Sequence, residues 1–332
     1  MMQSIPGVNV LPAPKRRLPL ARLFRRRETI IFTLLILESA VFGILTPGFL
    51  QPGNLSTIIQ NSVDLAVVAV GMSLAMVMGG IDISVGSLLG VVAIAAGRMV
   101  QAGFGIALIV PVAILIGALV GSLNGLIIAY LRVPAIIATL GTSNIFRALV
   151  FGLLGGTWIT GLPPTLDIFN GRLGGWLPVP AITIVVVYLV FWYFTSYVRL
   201  GRFIYAVGSS REASRLAGID TRHVTLAVHM IIGSLTGIAA LSYIARMGSV
   251  EVTVGQSLAL QAIAATVVGG TSVTGGQGSV LGTLVGVLFI NVLQNGILLL
   301  GVPSLMEWAI IGVFMILSVS IDLVWNRPAL RQ

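Results

Sequence analysis

The chain has no cysteine, which excludes disulfides, thiolate metal sites and a cysteine nucleophile. It is nearly as poor in charge: 9% of its 332 residues are Asp, Glu, Lys or Arg, against roughly 25% in a soluble domain. No G-x-x-x-x-G-K-[ST] segment occurs, so nucleotide phosphates cannot be cradled by that route. No clustered acids, metal-ligand spacing or nucleophile motif points to an enzyme. The two histidines, His223 and His229, belong to no metal motif and are read as structural. What remains is a chain that is 57% hydrophobic and carries 40 glycines. There is too little polar surface here to cover such a chain in water, and glycine is commoner in membrane helices than in soluble ones. The composition implies an all-α polytopic membrane protein.

The net charge of +9 is placed accordingly. Lys15, Arg16, Arg17, Arg22, Arg25, Arg26 and Arg27 precede the first long apolar run. Basic residues clustered beside an apolar run follow the positive-inside rule and put the N-terminus in the cytoplasm; they are read as a membrane signature and not as a nucleic-acid surface. The first 28 residues hold Pro6, Pro12, Pro14 and Pro19 and no apolar run of signal-peptide length. The apolar run that follows predicts a retained first helix. Crossing the hydrocarbon core takes about 20 apolar residues, and runs near 29–46, 57–79, 86–101, 105–129, 135–154, 179–197, 224–246, 258–270, 279–300 and 306–325 predict about ten spans, the third and eighth short or broken. The predicted organisation is a basic cytoplasmic segment 1–28, a transmembrane domain 29–325 with a cytoplasmic loop 198–223, and a cytoplasmic tail 326–332. Arg199, Arg202, Arg211, Arg215 and Arg222 in that loop, and Arg327 and Arg331 in the tail, agree with this orientation.

Two segments stand out. The stretch from Gly79 and Gly80 through Asp82, Ser84, Gly86 and Ser87 to Gly90 resembles the later stretch from Gly269 and Gly270 to Gly282. Each joins two apolar runs through a Gly/Ser-rich break, as internal repeats of transporters do. The second segment is the loop at 198–223. Ser209 and Glu212 have capping-box spacing and Gly218 reads as a helix stop, which predicts a helix of about two turns between them. A helix this short does not persist alone, so it must dock on something.

Glu212-Ala213-Ser214 followed by Gly218 resembles the EAA-x-x-x-G loop of bacterial importer permeases. Gly80-Ile81-Asp82-Ile83-Ser84-Val85-Gly86-Ser87, Val133 to Thr142, and Gly269 to Gly282 resemble the ribose/xylose/autoinducer-2 class of ABC importer permeases, over nearly the whole chain. The outer loop Gly155 to Pro163 is most similar to autoinducer-2 and rhamnose permeases. The longer ending of the EAA loop, Ile-x-Leu-Pro, is missing. The resemblance implies an inner-membrane subunit that translocates a sugar or sugar-like solute. It implies a cytoplasmic ABC ATPase that binds ATP and Mg, a periplasmic solute-binding protein and a second permease subunit, with no cofactor in this chain. It makes Ser209, Glu212, Ala213 and Gly218 the candidates for coupling to the ATPase. Gly80, Asp82, Ser84, Gly86, Ser87 and Asn124 are candidates for the pathway or its gating. Glu38, Asp64 and Glu307, in or near apolar runs, and Asp82 in the Gly-rich break keep an ion-coupled transporter as the alternative. Asp82 or Ser84 could equally cap the helix that follows. Asn124, Thr139, Asn144, Asn291 and Gln294 could serve sugar hydroxyls or helix–helix hydrogen bonds.

Overall fold

The computed structural model describes residues 27–174 and 177–303, together with Met306, Ala309, Ile310, Gly312 and Val313. Eleven helices run in the order α1 Arg27–Leu45, α2 Pro52–Val77, α3 Val85–Gln101, α4 Ile106–Ala129, α5 Ala135–Leu154, α6 Val179–Tyr197, α7 Arg199–Ser209, α8 Arg211–Leu216, α9 Thr221–Met247, α10 Leu258–Val268 and α11 Val280–Leu299. A 3-10 turn at Pro164–Phe169 and a two-stranded antiparallel hairpin, β1 Arg172–Leu173 with β2 Leu177–Pro178, lie between α5 and α6.

Among the described residues, α2, α4, α5, α6, α9 and α11 are long and apolar enough to cross a membrane. The apolar part of α1, with α3 and α10, is shorter. The expected count of about ten therefore becomes six full-length helices with three short ones. Most of the tenth predicted span, Glu307 included, lies outside the described residues. The two short segments expected within the bundle, α3 and α10, flank the two glycine breaks and are buried by neighbouring helices, where irregular backbone at membrane depth can be tolerated.

The core is organised around α2, which is buried without interruption from Ser62 to Val77. A helix apolar on every face belongs at the centre of a bundle or in lipid, and the chain contains both kinds. The spanning windows of α4, α5 and α6 are only 22–28% buried, against 83% for α2, so the first three form the lipid-facing wall. The most extensive helix–helix packing is between α4 and α9. A Cβ on Gly117 would lie 2.1 Å from the Gly233 carbonyl oxygen, and one on Gly121 2.3 Å from that of His229. Without a hydrophobic drive between helices in lipid, close backbone approach of this kind carries the association.

The two glycine breaks end their preceding helices with the same hydrogen bonds. After α2, Gly79 N donates to Met76 O and Gly80 N to Ala75 O; after α10, Gly270 N donates to Val267 O and Thr271 N to Thr266 O. The repeat seen in the sequence thus has a counterpart in backbone geometry, although the second connection is longer.

Candidate functional site

The loop at 198–223 folds as two helices set at an angle, not as the single short helix expected. In α7, Gly201, Ile204 and Val207 form the buried side while Arg202 and Phe203 stay exposed. Its C-terminal end rests on both glycine breaks at once. A Cβ on Gly208 would stand 1.8 Å from Val77 O, at the end of α2, and 2.8 Å from Gly276 N. Gly276 N in turn donates to Val77 O at 2.8 Å, and the Tyr205 hydroxyl donates to Gly278 O at 3.0 Å. The ends of α2 and α7 and the connection from α10 to α11 therefore meet in part directly through backbone atoms, where Gly208 packs on Val77 O and Gly276 N donates to it.

The short helix α8 follows. Its N-cap is Ser210, whose hydroxyl accepts from Ala213 N at 3.2 Å. This corrects the expected capping box. Ser209 is the last residue of α7, and its hydroxyl donates back to Tyr205 O at 2.9 Å. Shifting the cap by one residue also frees Glu212 from the capping role; it pairs with Arg215 at 3.0 Å on the surface. Ala213 and Leu216 lie exposed, Leu216 at 80%. An apolar side chain that open at the tip of a six-residue helix has little cover from the described residues. Gly218 ends the unit with φ +81° and open space around its Cβ position, so backbone conformation and not crowding demands glycine there. Asp220 then caps α9, accepting from Arg222 N and His223 N. The His223 side chain also hydrogen-bonds its carboxylate at 2.5 Å, and these bonds hold Asp220 below the usual carboxylate range.

The pathway candidates fall into two groups. Asp82, Ser84 and Asn124 form one buried cluster, each at most 1% exposed. Asp82 Oδ1 accepts from Ser84 N at 2.9 Å and from Ser84 Oγ at 2.6 Å, so Asp82 shapes the turn into α3. Asn124 Nδ2, from α4, donates to Ser84 Oγ at 2.7 Å. Ser87 Oγ donates to Ser84 O, and Thr139 on α5 donates to Ile81 O at 3.0 Å. His229 on α9 completes the group, with Nε2 4.0 Å from Asp82 Oδ2. Its Nδ1 must donate to the Thr225 carbonyl, 2.9 Å away, because a carbonyl only accepts. Lone polar residues on separate spans gave no signal that His229 would join this cluster. The second group is steric. Gly86 lies against the Gly255 backbone, 2.1 Å from Cβ position to carbonyl oxygen, and Gly80 faces Ala135 at 3.3 Å.

Two cavities open at opposite ends of the bundle. One, of about 340 Å³, lies between the N-terminal half of α2 and the C-terminal ends of α9 and α11; its lining includes Asn61, Gln261, Asn291, Gln294 and Asn295. Its charged groups are Asp64 and Arg246, which pair with each other across α2 and α9. The other, of about 840 Å³, lies between the first break, the α4–α5 link, α8 and the start of α9. Among the described residues, no group of three or more His, Cys, Asp or Glu side chains is placed to hold a metal ion. Arg147, inside a predicted span, points its guanidinium at the Val252 and Val254 carbonyls.

Comparison with known proteins finds relatives along most of the chain. A family profile described as "Branched-chain amino acid transport system / permease component" matches residues 54–319. The ribose import permease protein RbsC of Escherichia coli K12 is 36% identical over 307 residues, covering 91% of this chain and 94% of that protein. The ribose import permease protein RbsC of Bacillus subtilis is 35% identical, covering 88% and 90%. The autoinducer 2 import system permease protein LsrD of Enterobacter sp. strain 638 is 32% identical, covering 90% and 95%. No solved structure matches. With full-length relatives and a profile spanning most of its helices, the chain belongs to the permease-component family of branched-chain amino acid transport systems.

Proposed function

We propose that this chain is the membrane-spanning permease subunit of a binding-protein-dependent ABC importer for a sugar or sugar-like solute, of the kind that the names of its ribose and autoinducer-2 relatives describe. The observation that carries the reading is the seat of α7 on both glycine breaks. A push on α8 from an ATPase reaches the ends of α2 and α7 through backbone contacts, so it moves helices and not just side chains. Residues 1–28, 198–223 and 326–332 face the cytoplasm, where ATP and Mg bind the ATPase. A loaded solute-binding protein docks on the opposite side, and a second permease subunit, identical or different, completes the gate. The amide-lined cavity beside the paired Asp64 and Arg246 suits an uncharged polyhydroxy solute, such as a ribose-type pentose, rhamnose or autoinducer-2. Glu212, Ala213 and Gly218 transmit the motion, and Ser209 contributes as the last residue of α7, beside Gly276. Gly80, Asp82, Ser84, Gly86, Ser87 and Asn124 govern the movement of the first break.

The test is ATP-linked uptake by the reconstituted importer. Gly218→Val places a β-branched residue at positive φ, and Ala213→Asp puts a charge on the exposed face of α8. Both variants should remain in the membrane and lose most uptake, while the ATPase no longer responds to loaded binding protein. Full uptake by both variants, or accumulation by the purified chain alone from an ion gradient, would overturn the reading.

A further inference from the structure

The larger cavity carries features that coupling to an ATPase does not explain. Arg132, Arg211, Arg215 and Arg222 line it, with Glu212 as the one acid in its lining. Glu212 is spent on Arg215. Arg211 reaches only the Thr225 hydroxyl, at 3.4 Å, and Arg222 sits over the Tyr130 ring, 5.9 Å from its centroid. Three guanidinium groups therefore face this space without a carboxylate partner among the described residues. Arg132 is also the one non-glycine residue at positive φ among the described residues, at +59°. It occupies the position after a helix end where glycine is usual, and strain of this kind is concentrated at ligand-holding sites. On the cavity floor, His229 is 1% exposed and its Nε2 has no hydrogen-bond partner.

The remaining wall is apolar, made by Ile81, Ile128, Pro134 and Ile136. Leu131, 72% exposed, and Ile137, 62% exposed, adjoin the lining residues Arg132 and Ile136 in the chain, at the link between the apolar helices α4 and α5. A basic rim over an apolar wall that opens toward the bilayer matches an amphiphile with an anionic head. An acidic protein segment would match the arginines but not the wall.

We infer that this crevice binds the headgroup of an anionic phospholipid from the cytoplasmic leaflet, with Arg132, Arg211 and Arg222 on the phosphate, and that the lipid braces α8 against the α4–α5 link. Basic pockets between membrane helices on the cytoplasmic side bind such headgroups. The proposal rests on the cytoplasmic orientation given above for this face.

The experiment uses the full-length permease in neutral detergent and measures retention of dioctanoyl-phosphatidylglycerol, dioctanoyl-phosphatidylcholine and inorganic phosphate by native mass spectrometry. Phosphatidylglycerol should bind saturably and selectively. The double variant Arg132→Gln/Arg222→Gln should weaken it roughly thirtyfold, given the attraction lost with two arginines, while Arg172→Gln, at the other end of the bundle, should leave it unchanged. Equal binding of the two lipids overturns the proposal without reference to any variant. So does full retention by the double variant. Phosphate binding as tight as the lipid's would make this a free-anion site, and loss of the lipid on adding the ATPase would make it a protein-docking surface; either result overturns the proposal. No step of this assay uses ATP, so failure of ATP-linked uptake with lipid binding intact would count against the importer reading alone.

Discussion

The two cavities treat charge in opposite ways. At one end of the bundle Asp64 and Arg246 cancel each other, and amide side chains supply most of the rest of the polar lining. At the other end three guanidinium groups stand without a carboxylate among the described residues, and a strained backbone holds one of them. Burial of an ion pair is tolerable when each partner compensates the other. A neutral solute can then pass or bind without meeting a net charge. Uncompensated arginines are tolerable only where water, headgroups or another molecule supplies the counter-charge. The difference is what the proposed roles require, an uncharged cargo at one end and a charged neighbour at the other.

The largest effect expected on this contrast comes from the wall of the amide-lined cavity, where Gly86 meets Gly255. Gly86→Leu has no room at 2.1 Å from a carbonyl oxygen and should abolish uptake while the protein still inserts; unchanged transport kinetics would reduce the break to a loose turn. Next comes the ion pair. Asp64→Ala leaves Arg246 without its carboxylate and should cost about 3 kcal/mol, the lower end for a buried pair because Arg246 stays partly open. Thermal unfolding in detergent measures this, and an Arg246→Ala second change should recover part of the loss if pairing is the cause. At the basic end the sign reverses. Arg132→Gly removes a left-handed strain and should stabilise the protein by about 1 kcal/mol while weakening anionic lipid retention. A destabilised Arg132→Gly would mean that the arginine is held by contacts and not in spite of its backbone.

The smallest effect is at Asp220. Its carboxylate is held below the usual range first by the His223 side chain, so between the folded value and the ordinary one the unfolded chain binds more protons. Stability from this group is fully present above the ordinary carboxylate range and falls as pH drops through the lowered folded value. Thermal unfolding between pH 7 and pH 5 should therefore show no slope from Asp220, with a small loss at lower pH that disappears in Asp220→Asn.

Much of this was legible in the chain. Apolar runs located nine of the described helices, because a helix in lipid must be apolar over its whole span. The two Gly/Ser breaks and the Gly218 stop were visible as composition, since few residues tolerate positive φ. Ser210 was missed as the α8 cap because Ser209 carries the capping-box spacing to Glu212, while the structure keeps Ser209 in α7 and turns Ser210 extended, with φ −161°. The Asp64–Arg246 pair and the addition of His229 to the Asp82 cluster were missed for a different reason. Each joins residues far apart in sequence on separate spans, and no local spacing encodes that meeting.

By itself the sequence determined that this is an apolar, helical, multi-span chain with two glycine-rich breaks and a basic loop, because hydropathy, charge and glycine act locally along the chain. The tertiary structure alone decided that α7 sits on both breaks at once, that one cavity has its charges paired and that the other does not. Those outcomes depend on which helices pack together, and in lipid that choice is made by shape and close backbone approach, not by any pattern within a single span.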